Sequence, residues 1–251
     1  REKVSGSSVP HIFQRDMVGL KMNIPSLAEQ NKIAEILSVI DSNIVLMKKR
    51  VQKLDLLIKG LLQKEFSKSD LEEIVLGDLC LVTDGAHKTP TYSDEGIPFL
   101  RVTDIKDDFI DIDSCKRIPL EEHIELCRRC NPEKGDILLS KNGTIGIPRL
   151  IDWDWEFSLF VSLALIKIKD KNVLSPEFLE VIFSSPNLVN QMFATSKQGT
   201  VTNLHLEEIR KFKIPLPSII KQKKVVEIFS SLRKYQSTLK KKLHQLNFLK
   251  S

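Results

Sequence analysis

Two stretches of the chain carry apolar residues at four- and three-residue spacing, alternating regularly in the first and interrupted in the second. Ile40, Ile44, Met47, Val51, Leu54, Ile58 and Leu61 form one seam; Ile228, Leu232, Leu239, Leu243, Leu246 and Leu249 form the other. A mean period of 3.5 predicts helices that pair along a heptad stripe. Pro25 and Pro217 block helix upstream, and Ser26 and Ser218 behind them are N-cap candidates, with Glu29 three residues after Ser26. The expected helices run Leu27–Lys64 and Ser218–Lys250, packed antiparallel, because the chain between them must return across its own start. Val51, Leu54, Leu239 and Leu243 are then expected to be well buried. Gln236 and Lys250 stand where the first seam has Ile44 and Ile58, so the second seam is less apolar and leaves room for other contacts. The competing reading is ordinary amphipathic packing inside one domain. Basic runs at Lys48–Arg50 and Lys240–Lys242, and the lack of Gly or Pro between about residue 28 and Ile58 and after Pro217, favour long exposed helices.

Between the helices the pattern changes. Leu71–Leu216 holds short β-like runs broken by turn residues: Ile97–Val102, Phe109–Ile112, Asp136–Leu139, Ile145–Leu150 and the long apolar Phe157–Ile168. Asn142-Gly143 signals a hairpin and Asp84-Gly85 a turn, both through tolerance of positive φ. Pro176–Ser184 and Pro186–Thr195 look like short helices opened by proline. The fold class expected is α+β: a mixed α/β globular domain flanked by two long helices that form an antiparallel coiled coil.

The chain also repeats itself. Laying Pro217 on Pro25, a shift of 192 residues, aligns Ser7–Ile44 with Gly199–Gln236 without a gap and matches Lys21/Lys213, Ser26/Ser218, Gln30/Gln222, Lys32/Lys224, Glu35/Glu227 and Ile36/Ile228. The period is far longer than the ~20–50 residues of a solenoid. The copies read as matching ends of two tandem domains related by a pseudo-twofold, the first of them almost entirely missing.

Composition adds bounds. The 251 residues are 41% hydrophobic and 28% charged, enough for a real core in one or two domains. No apolar run approaches the ~18–20 residues that span a bilayer, and the start, REKVSGSSVP, has neither a signal segment nor an initiator Met, so a cytoplasmic, truncated chain is expected. A net charge of +5 permits an acidic polymer as partner without requiring one. Cys127 and Cys130 have C-x2-C spacing near Cys115 and His123, but no second pair completes a zinc pattern, and no metal is expected. Arg128 and Arg129 between the thiols would lower their pKa values if exposed; reduced, inert thiols are the plainer expectation.

No phosphate loop, dinucleotide fingerprint, H-E-x-x-H, nucleophile elbow or methyltransferase-like glycine loop occurs. Asp104, Asp107, Asp108, Asp111 and Asp113 evoke a metal-dependent nuclease, yet read more easily as a solvated turn and strand face. A non-catalytic chain is expected. What remains is a set of donors in expected loops: Lys88, Thr89, Thr91 and Tyr92; Arg101 and Thr103; Lys141, Asn142 and Thr144; Lys197, Gln198, Thr200 and Asn203. Arg or Lys reads guanine, Asn or Gln reads adenine, and Lys, Ser and Thr hold phosphates. Singly, each is an ordinary surface residue; their concentration in loops singles them out.

Four strings resemble the specificity (S) subunits of type I restriction-modification systems: IPSLAEQNKIAEILSVID (Ile24–Asp41), DGAHKTPTYSDEGIPFLRVTDI (Asp84–Ile105), KGDILLSKNGTIGIPRLI (Lys134–Ile151) and SPNLVNQMFATSKQGTVTNLHLEEIRKFKIPLPSIIKQKKVVEIFSSL (Ser185–Leu232). The resemblance implies a target-recognition domain at 71–216, conserved long helices at 26–66 and 217–251, and the tail of a preceding recognition domain at 1–25. It implies a non-catalytic subunit of a multisubunit restriction endonuclease and DNA methyltransferase, reading one half of a bipartite duplex target while its helices dock methyltransferase (M) and restriction (R) subunits. S-adenosylmethionine, ATP and Mg2+ are implied for those partners and no cofactor for this chain. Ile44, Met47, Val51, Leu54, Ile58, Leu239, Leu243 and Leu246 would pair the helices. With one complete recognition domain, a fragment, a truncated product and half of a homodimer all stay open. The alternative of another class is a coiled-coil-spaced module for protein or RNA.

Overall fold

The computed structural model describes residues 17, 18, 21, 23–66, 72–105, 110–195 and 202–250. They fall into two compact units, one within Arg1–Lys48 and Leu243–Ser251, the other within Lys49–Lys242, and each long helix contributes to both.

The elements, in chain order, are α1 (Leu27–Phe66), β1 (Glu73–Val75), α2 (Leu76–Leu79), β2 (Cys80–Asp84), β3 (Ile97–Leu100), β4 (Lys116–Ile118), α3 (Leu120–Cys127), β5 (Ile137–Ser140), β6 (Pro148–Leu150), β7 (Ser158–Leu159), β8 (Leu163–Ile168), α4 (Pro176–Phe183), α5 (Pro186–Thr195), α6 (Leu206–Arg210), β9 (Lys213–Pro215) and α7 (Ile219–Lys250). The sheets are β1–β9, an antiparallel β2–β8–β5–β6, and β4–β3–β7, in which β3 and β7 run parallel. None of the helices is long and apolar enough to cross a membrane, among the described residues.

The central strands of the four-stranded sheet, β5 and β8, are buried on both faces, and the period-2 alternation of strand side chains shows how. On β8, Ala164, Ile166 and Ile168 join the larger core with Ile137 and Leu139 of β5, while Leu163, Leu165 and Leu138 join a second core with Leu100, Ile151 and Phe157. The larger core is completed by Leu62 and Phe66 of α1, by α4 and α5, and by Val225 and Phe229 of α7. The continuous apolar run Phe157–Ile168 therefore becomes two strands with a polar turn at Ser162, and Phe109–Ile112 forms no strand among its described residues.

In the larger unit α1 and α7 run antiparallel. Gln236 donates to Asp55, and Lys221 Nζ lies 3.8 Å from Glu65 Oε1, so rising numbers on one helix meet falling numbers on the other. Gln236, the polar break in the second seam, is thus satisfied inside the chain, as a polar seam position that fixes register would be. Leu54 and Leu239 are buried, while Val51, Ile58 and Leu243 are half-buried. Ile228 departs from expectation: it is 55% exposed, and Phe229 is buried instead, because this part of α7 turns its apolar face to the globular core. In the other unit Ile44 is buried, Met47 and Leu246 half-buried.

The repeat is visible as hydrogen bonding. Ser26 and Glu29 form a capping box: the Ser26 N–H donates to Glu29 Oε2 (2.9 Å) and the Glu29 N–H to Ser26 Oγ (3.4 Å). Gln30 Nε2 donates to the Pro25 carbonyl at 2.8 Å, and its counterpart Gln222 Nε2 donates to the Pro217 carbonyl at 2.9 Å. Gln222 does more. Fully buried, it also donates to the Val173 carbonyl (2.7 Å) and accepts from the Ser175 N–H (2.9 Å), tying α7 to the segment that starts α4.

Removing Gln222 strands buried backbone groups, so Gln222→Ala should cost about 2–4 kcal/mol in urea unfolding, whereas Gln30→Ala, on an exposed stretch, should cost less than about 0.5 kcal/mol. In the same experiment Leu54→Ala should cost about 2–5 kcal/mol and half-buried Leu243→Ala less. Equal costs at the two glutamines would show that the joint does not hold the helix to the domain.

Candidate nucleic-acid interface

The loops singled out in the sequence meet at one end of the four-stranded sheet. β2 ends at Asp84 opposite Ala164, and β5 ends at Ser140 opposite Leu163, so both strands stop beside the β7–β8 turn. Ser162 in that turn is the junction. Its Oγ accepts from the Val102 N–H (3.2 Å) and its carbonyl from the Lys141 N–H (2.9 Å), joining the 101–104 and 141–144 loops. The Lys141 carbonyl accepts from the Leu204 N–H (2.9 Å), the Gly143 N–H donates to the Thr202 carbonyl (3.0 Å), and Asn142 bridges Asn203, which brings in the 202–204 segment. Gly143 and Gly146 supply the positive φ values, 74° and 83°, that turn the chain from β5 into β6, as the Asn142-Gly143 signal required.

Gly85 is needed for another reason than the one expected. It does not adopt positive φ; a Cβ there would lie 2.0 Å from the Leu159 carbonyl oxygen. Its neighbour Ala86 lies against β7, donating to that carbonyl at 2.7 Å and pairing with Phe160. This aims the 87–92 loop at the same end of the sheet.

Strand alternation forces a charge inward. Cys80, Val82 and Asp84 are the buried residues of β2, so the Asp84 carboxylate sits where an apolar side chain belongs and must be paired. Lys141 Nζ lies 3.3 Å from its Oδ2; Arg129 NH2 and His87 Nε2 (3.1 Å) meet Oδ1. Lys141, expected at an exposed hairpin tip, is only 5% exposed and spends its charge inside. Arg101 is likewise engaged: its Nε and NH2 donate to Asp104 at 3.2 and 3.1 Å, and these bonds raise its pKa further.

The remaining donors lie outward. Lys88, Thr89, Thr91, Thr103 and Thr144 are exposed. Tyr92 packs edge-on against Phe99 at 6.2 Å, with Lys116 Nζ 5.9 Å from its ring centre. Asn142 and Asn203 are half-buried. Lys197, Gln198 and Thr200 lie outside the described residues. Of the acidic run, Asp104 serves Arg101, Asp111 Oδ1 accepts from the Asp113 N–H, and 106–109 lie outside the described residues. No group of three metal-ligating side chains gathers among the described residues. Sequence reasoning missed Asp84, His87 and Arg129; the sole hint was an aspartate at the end of a strand run, since nothing local says that residue 129 meets residue 84.

The thiols are free, and burial pushes three of them up, Cys80 to about 12 and Cys115 and Cys130 to about 11. Arg129 is turned to Asp84, so the lowered thiol pKa considered from sequence does not arise; the Cys127 thiol too is raised, by partial burial first and Glu156 second.

A profile of the type I restriction modification DNA specificity domain matches residues 2–56 and 68–247. The chain belongs to that family. It is 25% identical to the type I restriction enzyme EcoBI specificity subunit of Escherichia coli over 96% of this chain and 57% of that protein, and 22% identical to the MjaVIII specificity subunit of Methanocaldococcus jannaschii over 92% and 60%. The chain thus spans somewhat over half the length of these relatives. Its fold is similar to the solved S subunit of the M. genitalium type I restriction-modification system, with a TM-score of 0.58 at 20% identity, covering 99% of this chain and 66% of that one.

A thiol with a pKa of about 11 is ionised to only about one part in a thousand at pH 8. Iodoacetamide at that pH should therefore label half-buried Cys127 first and leave Cys80, Cys115 and Cys130 unmodified until urea unfolds the chain, as peptide mass mapping would show. Early labelling of Cys130 would mean that Asp84 and its cations leave that strand end open.

Proposed function

We propose that this chain is a specificity subunit that reads one half of a bipartite duplex DNA target and presents it to separate methyltransferase and restriction subunits. The observation that carries this reading is the convergence, at one end of one sheet, of loops that are up to 56 residues apart in sequence and bear exposed Lys88, Thr89, Thr91, Thr103 and Thr144. A rigid scaffold presenting variable polar loops is the usual build of a recognition surface. Family membership supports the same reading. The chain does no chemistry itself; S-adenosylmethionine, ATP and Mg2+ belong to its partners, and the assembly works on DNA in the cytoplasm.

The second half of the target falls to a second recognition domain. Ile33 and Leu37 are 49% and 42% exposed on α1, whereas their repeat counterparts Val225 and Phe229 are buried against the globular core, which supports a like domain covering the α1 face. A homodimer is the assembly that provides two such domains from this chain alone. Partner subunits dock on the helices, where Val45, Leu46, Leu56 and Leu57 stay exposed.

Co-expressed with its methyltransferase subunit, the chain should bind duplex DNA with a salt-dependent, sequence-selective affinity. Lys88→Ala should weaken all sequences alike and reduce the slope of log K against log salt by about one. Leu46→Glu and Leu57→Glu should abolish co-purification of the partner while shifting the melting temperature by no more than about 2 °C. Methyl transfer to DNA by the purified chain alone, or duplex binding without any sequence choice in the complex, would overturn the assignment.

A further inference from the structure

Asp84 holds more cation than its own charge needs. Lys141, its side chain 7% exposed, already neutralises the buried carboxylate through Oδ2. Arg129 is therefore surplus: its NH2 is fastened to Oδ1 and lies 3.0 Å from His87 Nε2, yet 57% of its side chain faces solvent. NH1 and Nε of Arg129 have no partner among the described residues, and where His87 Nε2 donates its own N–H to Asp84, NH2 keeps one N–H that completes a fork with NH1. The side chain is anchored at its base by the end of α3 and at its tip by a carboxylate that cannot move, so its planar fork is in place before any ligand arrives. Ordering a long side chain in advance removes a cost that binding would otherwise meet.

The surroundings select among DNA groups. Beside Arg129 opens a cavity of about 340 Å³ whose walls include Asp84, His87, Lys88, Glu122 and Glu125. Glu122 is fixed by the Thr91 N–H, which donates to its Oε2 at 3.2 Å. Carboxylates on the same wall repel phosphate oxygens from the interior of this cavity. They suit an uncharged base edge, where guanine O6 and N7 accept from an arginine fork and the cytosine N4 amine donates to a carboxylate.

We propose that Arg129, positioned by Asp84, reads a G·C pair in the half-site; this rests on the DNA-recognition reading above and sharpens it to one base-reading residue. Arg129 is the contact, Asp84 and His87 are positioning residues, and Glu122 and Glu125 favour the cytosine side of the pair.

The test uses the full chain co-purified with its methyltransferase subunit, challenged with randomised duplexes that are recovered and sequenced. The wild-type complex should select a half-site containing at least one strict G·C position. Arg129→Ala should lower discrimination at one such position by at least about tenfold and leave the other positions and the salt slope unchanged. Arg129→Lys, which keeps the charge but loses the fork, should fall between the two. Asp84→Asn should loosen the same position only; if it fails to fold, the exposed Arg129 variants decide alone. A uniform loss across all sequences, with the salt slope smaller by about one, would make Arg129 a phosphate contact and overturn the proposal, as would no change at any position. A wild-type complex without sequence choice sinks the DNA-recognition reading itself, an outcome distinct from a selective complex indifferent to Arg129.

Discussion

The two central strands of the four-stranded sheet, β5 and β8, have no face open to solvent, and the placement of everything else follows from that. With cores packed on both sides of β8 and β5, polar side chains fit only where the strands stop. Asp84, Ser140 and Lys141 lie at one such end beside Ser162, each buried and each bonded. Chemistry is thereby driven to the sheet's edge, and the connecting loops gather there because their backbone groups share Ser162 and Lys141 as partners. A buried charge that must be matched acts in the same way: Asp84 recruits a lysine from the loop after β5, an arginine from the end of α3 and a histidine from its own loop, fixing three segments that no apolar contact would align so narrowly.

The joint between this domain and α7 is of a different kind. Apolar contacts at Val225 and Phe229 supply area, but area does not fix an angle; the fully buried Gln222 amide does, through Val173, Ser175 and Pro217. Downstream along α7, Arg233 donates to Glu180 of α4 and to Ser184 just past its end, and Gln236 donates to Asp55 of α1, so polar contacts continue the register once the apolar surface thins. Elsewhere on that surface exposed ion pairs such as Lys134–Asp154 contribute little.

The long helices were legible because a heptad seam and a proline-capped start are local signals, and both helices begin within one residue of the expected place. The proline-opened helices α4 and α5 were legible for the same reason. Short strands were harder: β1 and β9 pair across some 140 residues, and their three-residue runs carry no period long enough to read. Helix α3 was hidden by His123, buried against Ser158 although its residue type suggested a surface or metal ligand. At the site, exposed Lys88, Thr89, Thr91 and Thr144 matched their loop setting, whereas Lys141 and Arg101 did not. A sequence shows that a cation is present but not which carboxylate the fold sets opposite it.

The Gln222 joint grips main-chain groups: a carbonyl at 173, an N–H at 175 and a carbonyl at 217, none of which depends on the side chain at its position. The same glutamine, with the same proline carbonyl five residues back, recurs at the start of α1. An attachment written in backbone places no demand on the identity of the loops at the far end of the sheet. Those loops can be rewritten, or the whole domain exchanged for another with the same bend before its first proline-opened helix, and the socket will still fit. The helices then serve as a standard fitting, and altered loops can be carried without redesigning the scaffold beneath them.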